Sequence, residues 1–231
     1  MKRYLRFILP TVAVMFVFGA VGVADAKAQV NKLREILTRM DNHNKALTTL
    51  RADITMGDKN TQLDDAPEIK VGTVLYAKPV EKDALFRIDW KKPAESLSII
   101  NGKYTIYRPR DKSVLTGSAK DATKDPSGDS ALAFLKMSNA ELKANYTAAY
   151  LGEATLSDGT RVVQLQLSPK GKSNYKSAEL WIDVNGMMRQ AKIIRINNET
   201  TLLLTKLEKN IRLNSSDFKI NYPSGTKEIK S

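Results

Sequence analysis

The chain of 231 residues has one histidine, His43, and no cysteine, and these two counts restrict most of the chemistry its side chains could perform. A serine hydrolase needs an imidazole to take the proton of its nucleophile. The one candidate falls in a polar gap of an expected helix, where the ordinary reading is a solvated surface histidine. Zinc calls for several Cys or His ligands, so neither a metal site nor a cofactor is expected. Asp64-Asp65 could offer oxygens to a hard cation, but adjacent carboxylates in a polar loop read first as solvated charges. Gly171-Lys172-Ser173 ends like a phosphate-binding loop, yet the glycine required five positions earlier is Gln166. A carboxylate pair assembled by the fold is the one acid–base arrangement left open, and the chain is read as a non-enzyme.

The side chains that stand out are apolar. In VGTVLYAKPVEKDALFRIDWKKPAESLSIINGKYTIYRP, residues 71–109, short segments with the period of strands are joined by Lys-Pro and Asn-Gly punctuation. Strands are expected at Val71–Ala77, Ala84–Trp90, Leu97–Ile100 and Tyr104–Tyr107. Phe86, Ile88 and Trp90 share one face of the second; Arg87 and Asp89 lie on the other, so one side is oily and the other can meet water. Asn101-Gly102 suits a two-residue hairpin that needs positive φ. Phe86, Ile88, Trp90, Ile99 and Tyr107 are therefore candidates for an apolar, ligand-facing wall.

Elements on either side must position that wall. Val30, Leu33, Ile36, Leu37, Met40, Leu47 and Leu50 form a helical stripe interrupted at residues 42–44. Ala52–Met56 reads as the first strand and residues 57–68 as a polar loop. After a turn at residues 108–112 and a strand at Ser113–Thr116, residues 121–129 form a polar loop. Asp129 can cap a short helix, Ser130–Met137, whose Ala131, Leu132, Phe134 and Leu135 are apolar over nearly all its surface; a second helix is expected at Asn139–Asn145. So oily a helix must be covered, either as a permanent plug of the sheet or as a lid. Strands follow at Thr147–Glu153, Arg161–Leu167, Ala178–Val184, Arg189–Ile196 and Thr201–Glu208, with a last short one at Phe218–Tyr222. The sum is an α+β, mainly β chain. About eleven antiparallel strands make a strongly curved sheet, an incomplete, half-open β-barrel with an N-terminal helix and short lid helices on its concave side.

At the N-terminus, Lys2, Arg3 and Arg6 precede an apolar run from Phe7 to Val23, and Ala24-Asp25-Ala26 supplies small residues for cleavage. A signal peptide over 1–26 is expected, cut after Ala26 or alternatively after Ala28, with a retained membrane anchor as the competing reading. Residues 27–231 then form one domain, destined for the periplasm. Without cysteine the processed chain cannot itself be lipidated at a cleavage-site thiol. The formal charge of +12 falls to +10 once the leader is removed. Lysines that solvate strand faces account for this, as does attraction to an anionic membrane surface; export argues against nucleic acid.

The order Lys-Pro, Phe-Arg-x-x-Trp-x-x-Pro, a hydrophobic pair before Asn-Gly-Lys, and Tyr-x-Pro resembles the periplasmic outer-membrane lipoprotein carrier family, LolA. Glu179–Asp183, Asn185-Gly186, Asn210 and Phe218–Gly225 continue the resemblance in the family's order. It implies an incomplete barrel wrapped around helices, with lipid moieties held inside and Leu132, Phe134 and Leu135 in a lid. The family often has Arg before the Pro of its Lys-Arg-Pro strand end, where it helps latch the lid; here Lys78 stands there, without a planar fork for bidentate bonding. The partners implied are acylated lipoproteins or lipids, an inner-membrane donor and an outer-membrane acceptor, met by a monomer through transient membrane-surface contact. A carrier of another amphiphile and a sensor of envelope stress on the same half-barrel are the alternatives. Such sensors carry a further C-terminal domain, whereas only nine residues follow the last expected strand.

Overall fold

The computed structural model describes residues 21–63, 65–78, 85–118 and 137–230. Helix α1 spans Val21–Ala46 and helix α2 Asn139–Asn145. The strands are β1 (Thr49–Asn60), β2 (Glu68–Ala77), β3 (Leu85–Lys91), β4 (Ala94–Ile100), β5 (Lys103–Arg108), β6 (Ser113–Ser118), β7 (Tyr146–Thr155), β8 (Arg161–Pro169), β9 (Ser177–Asp183), β10 (Met188–Ile194), β11 (Asn198–Lys209) and β12 (Lys227–Lys230). Among the described residues they form one open, strongly curved sheet of twelve strands in the order β12-β6-β5-β4-β3-β2-β1-β11-β10-β9-β8-β7.

This order is two antiparallel meanders, β1–β6 and β7–β11, sewn together along β1 and β11, each 12 residues long. Register shifts at Arg51/Asp53, Met188/Gln190 and Tyr150/Gly152 add the local twist that bends so wide a sheet. One pair departs from the antiparallel expectation: β12 runs parallel to β6.

Helix α1 buries the expected stripe. Ile36, Leu37 and Met40 pack with Leu165, Leu167, Leu180, Ile182, Ile193, Leu202 and Leu204 in one core, each such side chain contributing about 1.5–3 kcal/mol by burial. Val30, the first residue of that stripe, remains 57% exposed, and Leu50 belongs to β1 rather than the helix. The turn after β9 clamps the helix. Gly186 has φ +86, and a Cβ there would lie 2.3 Å from the Arg39 carbonyl oxygen, while Arg39 Nη1 donates to the Val184 carbonyl at 3.0 Å.

Helix α2 falls where the sequence places it, with Ser138 and Glu141 forming its reciprocal cap. The first strand is longer than expected at both ends, so that residues 57–60 of the expected loop over 57–68 belong to β1 and residue 68 to β2. Phe218–Tyr222 is not a strand. Phe218 ends a 3-10 turn, Ser215–Phe218, and the final strand is β12. Of the expected leader over 1–26 only residues 21–26 are described, as helix. Within the expected helix Ser130–Met137 only Met137 is described, and it is not helical.

Candidate functional site

Pairing registers carried across the sheet sort side chains onto two faces. Tyr76 lies opposite Phe86, Phe86 opposite Ile99, and Ile99 opposite Tyr104; likewise Val74, Ile88, Leu97 and Ile106 form a row. Trp90 joins the same face opposite Gly72. Four of the five wall candidates, Phe86, Ile88, Trp90 and Ile99, therefore share the concave face with the residues that pack under α1.

Tyr107 does not. It pairs with Ser96, which pairs with Asp89, and these face the convex side. Its ring lies 5.9 Å from that of Tyr222. The residues on β5 that do face the concavity are Tyr104 and Ile106, and the signal for Tyr104 was present in the sequence. A two-residue turn at Asn101-Gly102 pairs Ile100 with Lys103 and so Ile99 with Tyr104, and three positions further on the parity has flipped. Tyr76 ends the row of Phe86, Ile99 and Tyr104, and Leu115 extends that of Ile88, Leu97 and Ile106.

The concave face is covered unevenly. Beneath α1, the β8–β11 half and β1 are buried to near completion. On β2–β6, Tyr76, Phe86, Trp90, Leu97, Ile99, Ile106 and Leu115 are only half-buried, while Val74, Ile88 and Tyr104 are buried. Five strands give this apolar area a width of about 20 Å. Glycines set its relief: the Tyr104 ring lies over Gly117, where a Cβ would come within 2.7 Å of it, and Trp90 Cε3 would be 3.1 Å from a Cβ on Gly72. Burial raises the pKa of the Tyr76 phenol above its usual value, as a low-dielectric surface should.

The helices border this area. Asn44 Nδ2 donates to the Met137 carbonyl at 3.0 Å, and the Asn139 N–H points to Asp41 Oδ1 at 3.5 Å, so the chain rejoins the described structure against the C-terminal turns of α1. Leu132, Phe134 and Leu135, the lid candidates, lie outside the described residues. Lys78 Nζ donates to the carbonyls of Lys45 (3.0 Å) and Asn44 (3.5 Å). It thus caps the end of α1, where a cation meets the negative end of the helix dipole.

The convex face of β3–β5 is not simply open to water, as the alternation of β3 had suggested. The segment after β11 crosses it. Ser98 Oγ donates to the Phe218 carbonyl, Arg87 Nη1 donates to the carbonyls of Asp217 (3.0 Å) and Lys219 (2.7 Å), and Phe218 is fully buried. Arg87 also holds Asp89 through two contacts of 2.8 and 3.0 Å. His43 is half-buried rather than surface-exposed. Its Nε2 is enclosed without a hydrogen-bond partner, and burial first, then Lys209, lowers its pKa. Among the described residues no three His, Cys, Asp or Glu side chains cluster as metal ligands, and no helix is long and apolar enough to cross a membrane.

Residues 53–221 match the family model of the outer membrane lipoprotein carrier protein LolA, and the chain belongs to this family. The fold agrees with that of two solved structures, and a third is a weaker match. An uncharacterized conserved protein from Thermus thermophilus superposes with a TM-score of 0.55 at 15% identity, covering 87% of this chain and 99% of that one. LprF from Mycobacterium bovis gives 0.51 at 12% identity, covering 80% and 95%. A LolA superfamily protein from Nitrosomonas europaea gives 0.42 at 13%, covering 81% and 97%. No curated protein matches the sequence.

Proposed function

We propose that this protein is an exported, periplasmic carrier that shelters the acyl chains of lipoproteins while they cross from the inner to the outer membrane. The observation that carries the reading is the half-buried apolar area on β2–β6, formed by Phe86, Trp90, Leu97 and Ile99 on the face that α1 leaves uncovered. Family membership supports it.

The physical demand is plain. Each methylene withdrawn from water is worth about 0.8 kcal/mol, so a free acyl chain does not traverse an aqueous space, and a carrier must cover it yet let it go. Aromatic and aliphatic contacts serve both needs because they are non-directional and adaptable. Leu132, Phe134 and Leu135 enter the reading as a lid, and Lys78 as a holder of the α1 terminus against which Met137 rests. The protein acts as a monomer between an inner-membrane donor and an outer-membrane acceptor, and it performs no catalysis.

Native mass spectrometry of the exported protein, co-expressed with an acylated lipoprotein or with its unacylatable Cys→Ser form, tests this. A stoichiometric complex with the acylated form alone is expected. Free lipid in both samples would replace the lipoprotein by another amphiphile, and bare protein in both would sink the carrier reading.

A further inference from the structure

The turns at one end of β3–β6 and β12 are basic. Lys91 and Lys92 leave β3, Arg110 and Lys112 lie in the turn between β5 and β6, and Lys227 opens β12 with its N–H donating to the Lys112 carbonyl at 2.8 Å. All five are exposed, and the registers Lys91↔Ala94, Arg108↔Ser113 and Lys227↔Ser113 put them along one edge of the sheet. Of the carboxylates in that row, Glu95 is held by Arg108 at 2.7 Å and Glu228 accepts from the Tyr222 hydroxyl at 3.1 Å, while Asp111 stands among the cations. At the strand spacing of about 4.8 Å the row extends for roughly 20 Å.

The same ends of the neighbouring strands carry exposed aliphatic side chains. The β1–β2 and β10–β11 tips touch through the Thr61 N–H and the Asn197 carbonyl at 3.0 Å. Leu63 and Ile69 on the first are each 53% exposed, and Ile196 on the second is 75% exposed. The charges of these tips are mixed, with Asp65 and Glu68 beside Lys59 and Lys70, so they add apolar contact rather than net charge.

We infer that this edge docks the protein reversibly on an anionic phospholipid bilayer. Lysines are point charges on flexible stems, suited to a fluid plane of phosphates, and they are spread over successive turns rather than gathered in a pocket. Aliphatic tips beside a basic row can enter the headgroup region, as amphipathic membrane-surface elements do. Lys91 directly follows Trp90, so docking would bring the apolar wall next to the bilayer. That purpose rests on the carrier reading; the docking itself does not.

The test is co-sedimentation of the exported protein with phosphatidylcholine vesicles, with and without phosphatidylglycerol, at low and high salt. Each lysine near an anionic surface is worth about a fivefold change in partitioning. Reversal of Lys91, Lys92 and Lys112 to Glu should therefore cost at least ~100-fold on anionic vesicles. The same charge change at Lys103, Arg161 and Lys209, exposed at the opposite strand ends, should cost no more than about threefold through the general field. Leu63→Asn with Ile196→Asn should remove the part of binding that survives high salt. Equal losses from both charge reversals, or no preference for anionic vesicles, would overturn the inference; the latter is also what an acidic protein partner in place of a bilayer would give. Uptake of a fluorescent fatty acid, measured in parallel, separates the two readings. Docking without uptake removes the carrier and leaves the edge, and uptake without docking does the reverse.

Discussion

Tyr104 and Tyr107 show how much one position decides. Both are aromatic and on the same strand, yet one closes over Gly117 on the concave face and the other lies near Tyr222 on the convex face. Phe86→Glu or Trp90→Asp should abolish acyl uptake, because an unpaired carboxylate would have to be desolvated beside the chain; fluorescence titration with a labelled fatty acid checks this. Tyr107→Ala should leave uptake unchanged while lowering the urea midpoint, a contrast that retained uptake in the Phe86 and Trp90 variants would erase. His43 makes a pH prediction. Its pKa is lowered in the folded state, so the unfolded chain binds the proton more readily and stability falls as pH drops through the ordinary histidine value near 6.5. Lys209 adds to this and Asp183 opposes it. Urea midpoints compared at pH 8 and 5.5 should converge in His43→Gln. That Phe86, Ile88, Trp90 and Ile99 share one face of the sheet is legible from alternation and pairing; Tyr107 falls on the opposite face because the Asn101-Gly102 hairpin fixes the parity of β5.

Elements whose own sequence buries one face were readable, and elements made only by pairing were not. β3, β5, β8 and α2 lie where periodicity and capping place them. β12, Lys-Glu-Ile-Lys, has every residue exposed, and it exists because the edge of β6 offers it hydrogen bonds. The Phe218–Tyr222 run reads as a strand because Phe218, Ile220 and Tyr222 alternate with Lys219 and Asn221, but Phe218 plugs the convex face from a 3-10 turn. Phe218→Ala should cost about 3–5 kcal/mol of stability and expose residues 211–230 to proteolysis. The clamp on α1 gives a second test at this scale. Gly186→Ala forces a side chain into left-handed backbone against the Arg39 carbonyl, for a loss of about 3 kcal/mol. Thermal melts would register it, and an unchanged melting temperature would mean that the turn does not hold the helix.

For the molecule as a whole, the strand number, the open curvature and the helix on the inner face follow from simple counting. So many antiparallel strands curl, and an apolar helical stripe needs a face to cover. The wide apolar area on β2–β6 was legible only as a set of candidates, since which half of the sheet α1 covers is decided by tertiary packing. The seam between the meanders has a consequence in time. β1 pairs with β11, Ile54 opposite Leu204, so the strand at the centre of the sheet lacks one of its two neighbours until almost the entire chain has been delivered. Closing so long a loop costs entropy before any contact offsets it, and folds dominated by non-local pairing form slowly. A chain translocated from its N-terminus would wait with one edge of β1 open, exposed to misassociation until residues 198–209 arrive. Refolding should be correspondingly slow, in milliseconds to seconds, and truncation before β11 should yield aggregation rather than a smaller working half.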